Sequence, residues 1–172
     1  MNYEELTIEA EQKHIEIIEL PLKAHSGLIL NTTIAIKKDI PETTKACVLA
    51  EELGHYYTSV GDILDQTDFS NRKQEHTARL WAYNKQIGLA GLVKCFEERC
   101  RNINEMADCL GVTEKFFQDA LECYRQKYGI SVSYGYYNIY FEPTLMVHKK
   151  SKAENLENTF WIIYSITELF NN

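Results

Sequence analysis

The stretch Leu49-Ala50-Glu51-Glu52-Leu53-Gly54-His55 places two carboxylates and an imidazole at spacings that matter on a helix. In the pattern H-E-x-x-H, ligands at i and i+4 share one helix face, and the glutamate after the first takes a proton from a metal-bound water. Here Glu51 stands at the first ligand position, while Glu52 and His55 match the general base and the second ligand. A carboxylate also ligates zinc, so the spacing still works, but the donor set becomes harder and richer in oxygen. That brings manganese and iron into range beside zinc. A catalytic ion needs a third protein ligand and one position open to water. Glu75 and His76 lie 20 and 21 residues after His55. Ala78 and Ala82 follow Glu75 at i+3 and i+7, small residues that let two helices approach closely, which places Glu75 inward as third ligand. His76, about 100° further round the helix, is the reserve ligand. The competing reading of EELGH is a solvated helix face near a helix C-terminus.

These side chains need two adjacent helices to hold them. Pro41 suits the first turn of a helix running from Glu42 to Tyr57, with Ala46, Leu49, Ala50 and Leu53 at helical spacing. A loop over Thr58–Ser70 leads to a second helix from about Asn71 to Ile87. Before them, a short helix over residues 3–13 precedes a strand near Ile15–Leu22 that Pro21 interrupts. The stretch from Gly27 to Ile36 is β-favouring and turns near Asn31. Gly88 and Gly91 interrupt the pattern before a helical stretch to about Cys100. Ile103–Tyr128 then reads as a helix-turn-helix around Gly111-Val112-Thr113. Tyr134–Phe141 reads as a strand or hairpin ended by Pro143, and Ala153–Phe170 as a final apolar-faced helix that docks on the body or on a partner.

The 172 residues suffice for about one domain with a small appendage, and 45% hydrophobic content is enough for a buried core. A net charge of −7 opposes electrostatic binding to nucleic acid or to an anionic membrane surface. In the second helix of the helix-turn-helix, Lys115, Arg125 and Lys127 are offset by Glu114, Asp119 and Glu122, which leaves no basic face for DNA. The basic run His148, Lys149, Lys150, Lys152 reads as a solvated linker. The acidic start carries no secretory signal, and the longest apolar run, Phe160–Tyr164, falls far short of the roughly 18 residues of a membrane span, so a cytoplasmic protein with no membrane partner is expected. Five cysteines (47, 95, 100, 109, 123) without a C-x-x-C pair predict reduced, buried thiols rather than a disulfide framework or a zinc knuckle.

LAEELGHYYT on the first helix, Gly61-Asp62-Ile63 in the loop and RKQEHTARLWAY on the second helix resemble the ImmA/IrrE family of metallopeptidases, in particular its phage-borne members. The resemblance covers roughly Gly27–Ile87 and is most specific over Val48–Thr58 and Arg72–Tyr83. It implies His55 as a metal ligand, Glu52 as general base and Glu75 as third ligand, with Glu51 in place of the first histidine. It further implies a phage or mobile-element protein that cleaves or inactivates a repressor by metal-activated water. Tyr56 and Tyr57 are candidate donors to the oxyanion or, alternatively, packing residues. Two other classes compete: a metal-free zincin-like scaffold that binds a protein partner, and a helix-turn-helix DNA-binding protein. The expected fold is α+β: a zincin-like core over residues 1–100, with a small antiparallel sheet and mainly helices. A helix-turn-helix-like unit with a C-terminal hairpin and docking helix follows over 101–172.

Overall fold

The computed structural model describes residues 1–58, 68–150 and 162–164, with side chains described for 1–58 and 72–150. It opens on α1 (Tyr3–Gln12), held by a capping box in which the Asn2 side chain accepts the Glu5 N–H and the Glu5 carboxylate accepts the Asn2 N–H. β1 (Glu16–Leu20), β2 (Gly27–Leu30) and β3 (Thr33–Lys37) form a three-stranded sheet in the order β1-β3-β2. β2 and β3 make the expected hairpin, with Asn31 in the left-handed region at φ 54°.

This sheet is mixed rather than antiparallel throughout, because β1 pairs parallel to β3, Ile17 opposite Ile34 and Glu19 opposite Ile36. The chain leaves the ladder at Pro21, which cannot donate a backbone hydrogen bond, and returns only at Gly27. The second arm of the hairpin therefore lies between the two outer strands. Ile34, Ala35 and Ile36 of the central strand are all buried, as a strand covered on both flanks requires.

α2 (Glu42–Thr58) lies against β2 and β3, and α3 (Asp68–Gln86) packs on α2. Pro41 precedes α2 and its carbonyl accepts the Lys45 N–H at 2.9 Å. Leu6, Ile15, Ile34, Ile36, Leu49 and Ala50 make the core of this part, each with no exposed surface. Lys45 is buried among them and bonds Glu42 at 2.8 Å and Glu19 at 2.9 Å, which holds its ammonium pKa above the ordinary lysine value. The expected loop over Thr58–Ser70, with Gly61-Asp62-Ile63, lies mostly outside the described residues.

α4 (Gly88–Glu97), α5 (Ile103–Leu110) and α6 (Glu114–Tyr128) follow, then β4 (Ser131–Tyr134), β5 (Tyr137–Tyr140), β6 (Leu145–Lys149) and β7 (Ile162–Tyr164). Gly111 at φ +66° makes the turn between α5 and α6, a left-handed conformation that favours glycine. The four strands form an antiparallel sheet in sequence order. Contacts divide the chain into two compact units, Met1–Gln86 with Gly111–Thr113, and Ile87–Leu110 with Glu114–Asn172. α4, grouped with the first part on the sequence pattern, thus belongs to the second unit by its contacts.

Two expectations change here. Ile162–Tyr164, inside the predicted final helix, is a strand paired with Leu145–Val147: its β-branched and aromatic residues complete the open edge of β6. The remainder of Ala153–Phe170 lies outside the described residues. His148 and Lys149, read as linker, belong to β6, where Leu145 and Val147 turn inward and the alternate residues outward.

Candidate metal and catalytic site

α2 buries Ala46, Leu49, Ala50 and Leu53, which leaves Glu51, Glu52 and His55 half-buried beside that stripe. Gly54 decides what His55 meets. A side chain at Gly54 would overlap the backbone carbonyl oxygen of Ala78 and lie 3.0 Å from its carbon, so only glycine lets α3 come this close. Ala78 and Ala82 have no exposed surface at this contact. Glu75, one helical turn before Ala78, is thereby brought to His55, with Nε2 3.2 Å from Oε2. The two side chains are 32% and 44% exposed, so the pair is open to solvent. The second carboxylate oxygen of Glu75 accepts from Arg79 Nε at 2.6 Å, one turn along the same helix.

Glu52 sits on the same helix beneath the start of β2. A side chain at Gly27 would overlap the Glu52 carboxylate and come within 2.7 Å of Val48 Cγ1, so the edge strand reaches Glu52 only because residue 27 is glycine. Burial, followed by the neighbouring charges of Glu51 and Glu75, raises the Glu52 pKa from 4.5 to about 7. Tyr57 packs its ring on Trp81 with centroids 5.1 Å apart, and Tyr56 meets Tyr57 edge-on at 5.3 Å. This is the packing alternative for both rings.

Not every predicted residue converges. Glu51, His55 and Glu75 do not present three donor atoms within 4.8 Å of one another; among the described residues, the group that does is Cys95, Cys100 and Cys109. His76 is exposed and lines an open depression of about 420 Å³ with Arg72, Glu75 and Arg79. The structure thus pairs His55 with Glu75 and leaves His76 on the flank of α3.

The family model of the IrrE N-terminal-like domain, Peptidase M78, matches residues 10–122. The chain belongs to this family. No curated protein and no solved structure matched it. The matched span contains α2 and α3 entire, and with them every side chain of the site. Membership makes the chain metallopeptidase-like, and peptidases of this family are typically metal-dependent. The donors fit such an ion: an imidazole nitrogen and a carboxylate oxygen 3.2 Å apart match two ligands of one zinc at bond lengths of about 2.0–2.2 Å. Glu51, four residues before His55 on the same helix, offers a further carboxylate, but its oxygen does not lie within 4.8 Å of both donors of the pair. Among the described residues, no helix is long and apolar enough to cross a membrane.

The sequence pattern missed Gly27, Gly54 and Arg79 as parts of the site. Arg79 carried a readable signal, since it stands at i+4 from Glu75. A glycine inside a helical pattern was visible at Gly54, but not what approaches it.

Proposed function

We propose that this chain is a cytoplasmic metallo-endopeptidase, encoded by a phage or mobile element, that cleaves a repressor-like protein. The observation that carries this reading is the contact of His55 with Glu75 across α2 and α3, with Glu52 half-buried one turn away, all inside the span matched by a peptidase family. His55, Glu75 and Glu51 would hold a divalent cation, zinc first, with manganese or iron as alternatives. When bound, the cation supplies Lewis-acid polarisation of the scissile carbonyl and lowers the pKa of water towards about 7. Glu52 accepts the proton of the attacking water and returns it to the leaving amine, a task suited to a carboxylate whose pKa lies near the working pH. β2 lies at the edge of its sheet and begins beside Glu52, which supports docking of an extended peptide there as an added strand. Leu28 and Leu30, 52% and 71% exposed, offer that peptide apolar contact.

Elemental analysis of protein purified without chelators tests the ligand set: about one equivalent of metal is expected in the wild type, and its loss in His55→Ala and Glu75→Ala. Glu52→Gln should keep the metal and abolish cleavage of the repressor; unchanged cleavage refutes the general-base role.

One observation favours a second reading, a metal-free scaffold that binds its partner without cutting it. Arg79 neutralises Glu75 at 2.6 Å with no cation required. On that reading the wild type stays free of metal after equilibration with excess zinc or manganese. DNA binding has no comparable support: two of the three cations of α6 pair with acids, Lys115 with Asp119 and Arg125 with Glu122 and Glu142, and Lys127 lies over the Tyr128 ring.

A further inference from the structure

Three of the five cysteines meet at the end of α4. There Arg99 adopts φ +60°, its N–H bonds the Phe96 carbonyl at 3.1 Å, and the Cys100 N–H bonds the Cys95 carbonyl at 3.0 Å. This is the Schellman arrangement, which folds the residue past the turn back onto the last turn of the helix, where an apolar pair usually meets. Here the two residues are Cys100 and Cys95. Asn102 then caps α5 by accepting the Glu105 N–H at 2.9 Å, and Cys109 follows on that helix, one turn after the buried Met106. Cys95 Sγ donates to the Met106 carbonyl at 3.8 Å. The three sulfur atoms lie within 4.8 Å of one another and all three thiols are free. Cys95 and Cys100 are buried, while Cys109 keeps a partly open side.

We propose that Cys95, Cys100 and Cys109 form a three-thiolate site for a thiophilic cation, copper(I) or zinc. Bond lengths of about 2.3 Å would set the sulfurs about 4 Å apart around one ion, so the site closes with a contraction of under about 1 Å. An all-sulfur donor set selects soft or borderline ions over magnesium, calcium or manganese, in contrast to the imidazole and carboxylates of the first site. The three sulfurs alone complete a three-coordinate copper(I) ion, whereas zinc would take a water on the open Cys109 side as its fourth ligand. Lys94, whose ammonium bonds the Cys109 carbonyl at 3.3 Å, brings positive charge to the thiolates. Each thiol gives its proton to solvent as its sulfur–metal bond forms, so uptake strengthens as pH rises. Without the ion, burial and the neighbouring thiols push Cys95 and Cys100 above the ordinary thiol value, which keeps these two thiols neutral and slow to oxidise.

The test uses the full chain carrying His55→Ala, so that the imidazole–carboxylate pair contributes no ligand. The protein is reduced, stripped with chelator and titrated anaerobically with cobalt(II) as the zinc probe. A parallel titration uses copper(I) against a chromophoric chelator. Thiolate-to-cobalt charge-transfer absorption or stoichiometric copper(I) capture at one equivalent is expected, and whichever arm responds identifies the ion class. Cys109→Ser should lower affinity by more than the roughly 10–100-fold typical of losing an outer-shell partner, and Cys123→Ser should not. Because Cys95 is fully buried, its serine variant tests folding as much as binding. The half-exposed Cys109 decides, with circular dichroism verifying the fold. No response to either ion in the reduced protein, or binding that survives Cys109→Ser, overturns the proposal.

Discussion

The His55–Glu75 pair and the cysteine cluster are both groups of side chains of types that can ligate a metal, built on opposite plans. The first is assembled across two helices from nitrogen and oxygen donors, stands open to solvent and has a half-buried carboxylate beside it. The second is assembled from sulfur donors at the end of α4 and in the last turn of α5, two of them buried. An open position and a nearby base suit hydrolysis, while three sulfur donors with no base beside them suit holding a soft ion. The difference shows that donor type alone does not assign a role: access to water and the presence of a proton acceptor do.

The sharpest way to break this contrast is Glu52→Gln. If only the first region does chemistry, the substitution should lower cleavage by about 10²–10⁴-fold in a peptide assay and leave thiolate–metal binding untouched. Gly54→Ala comes next: the added methyl meets the Ala78 carbonyl, so α2 and α3 must separate at a cost of about 1–3 kcal/mol in denaturant unfolding. Metal affinity at His55 should fall with it, while the Cys109 site titrates as before.

A smaller effect comes from pH. In chelator-treated protein the Glu52 pKa is raised from 4.5 to about 7, so the folded state binds the proton more tightly than the unfolded chain. Its contribution is complete below pH 4.5 and lost as pH rises through 7. Glu52→Gln should therefore raise the melting temperature at pH 8 relative to wild type, by a difference worth about 1 kcal/mol after solvent screening, and change little at pH 4. Arg79→Gln should cost the least, under about 1 kcal/mol, because its pair with Glu75 is exposed. A marked gain in zinc affinity in that variant, measured by calorimetry, would show Arg79 competing with the cation for Glu75.

The local pattern carried much of the fold. Helical spacing of Ala46, Leu49, Ala50 and Leu53 marked α2, Gly111 marked the turn between α5 and α6, and the run around Thr33–Ile36 marked β3. These features follow from periodicity and from backbone preferences of single residues, which act within a few positions. The parallel pairing of β1 with β3 and the strand at Ile162–Tyr164 did not show, since pairing depends on which edge is left open by distant parts of the chain. At the site, the residue types and their spacing on α2 were readable, as was the small-residue face of α3.

What the sequence determined by itself was the chemical vocabulary: carboxylates and an imidazole on one helix, a glutamate followed by small residues on the next, and five thiols. What only the tertiary structure decided was the grouping. It brought Glu75, already placed inward by its spacing, to 3.2 Å from His55, set Gly27 against Glu52, and gathered Cys95, Cys100 and Cys109 although no C-x-x-C spacing announces them. The physical reason is that helix periodicity sets the face a side chain occupies, whereas the close approaches at Gly54 and the backbone reversal at Arg99 set which faces meet.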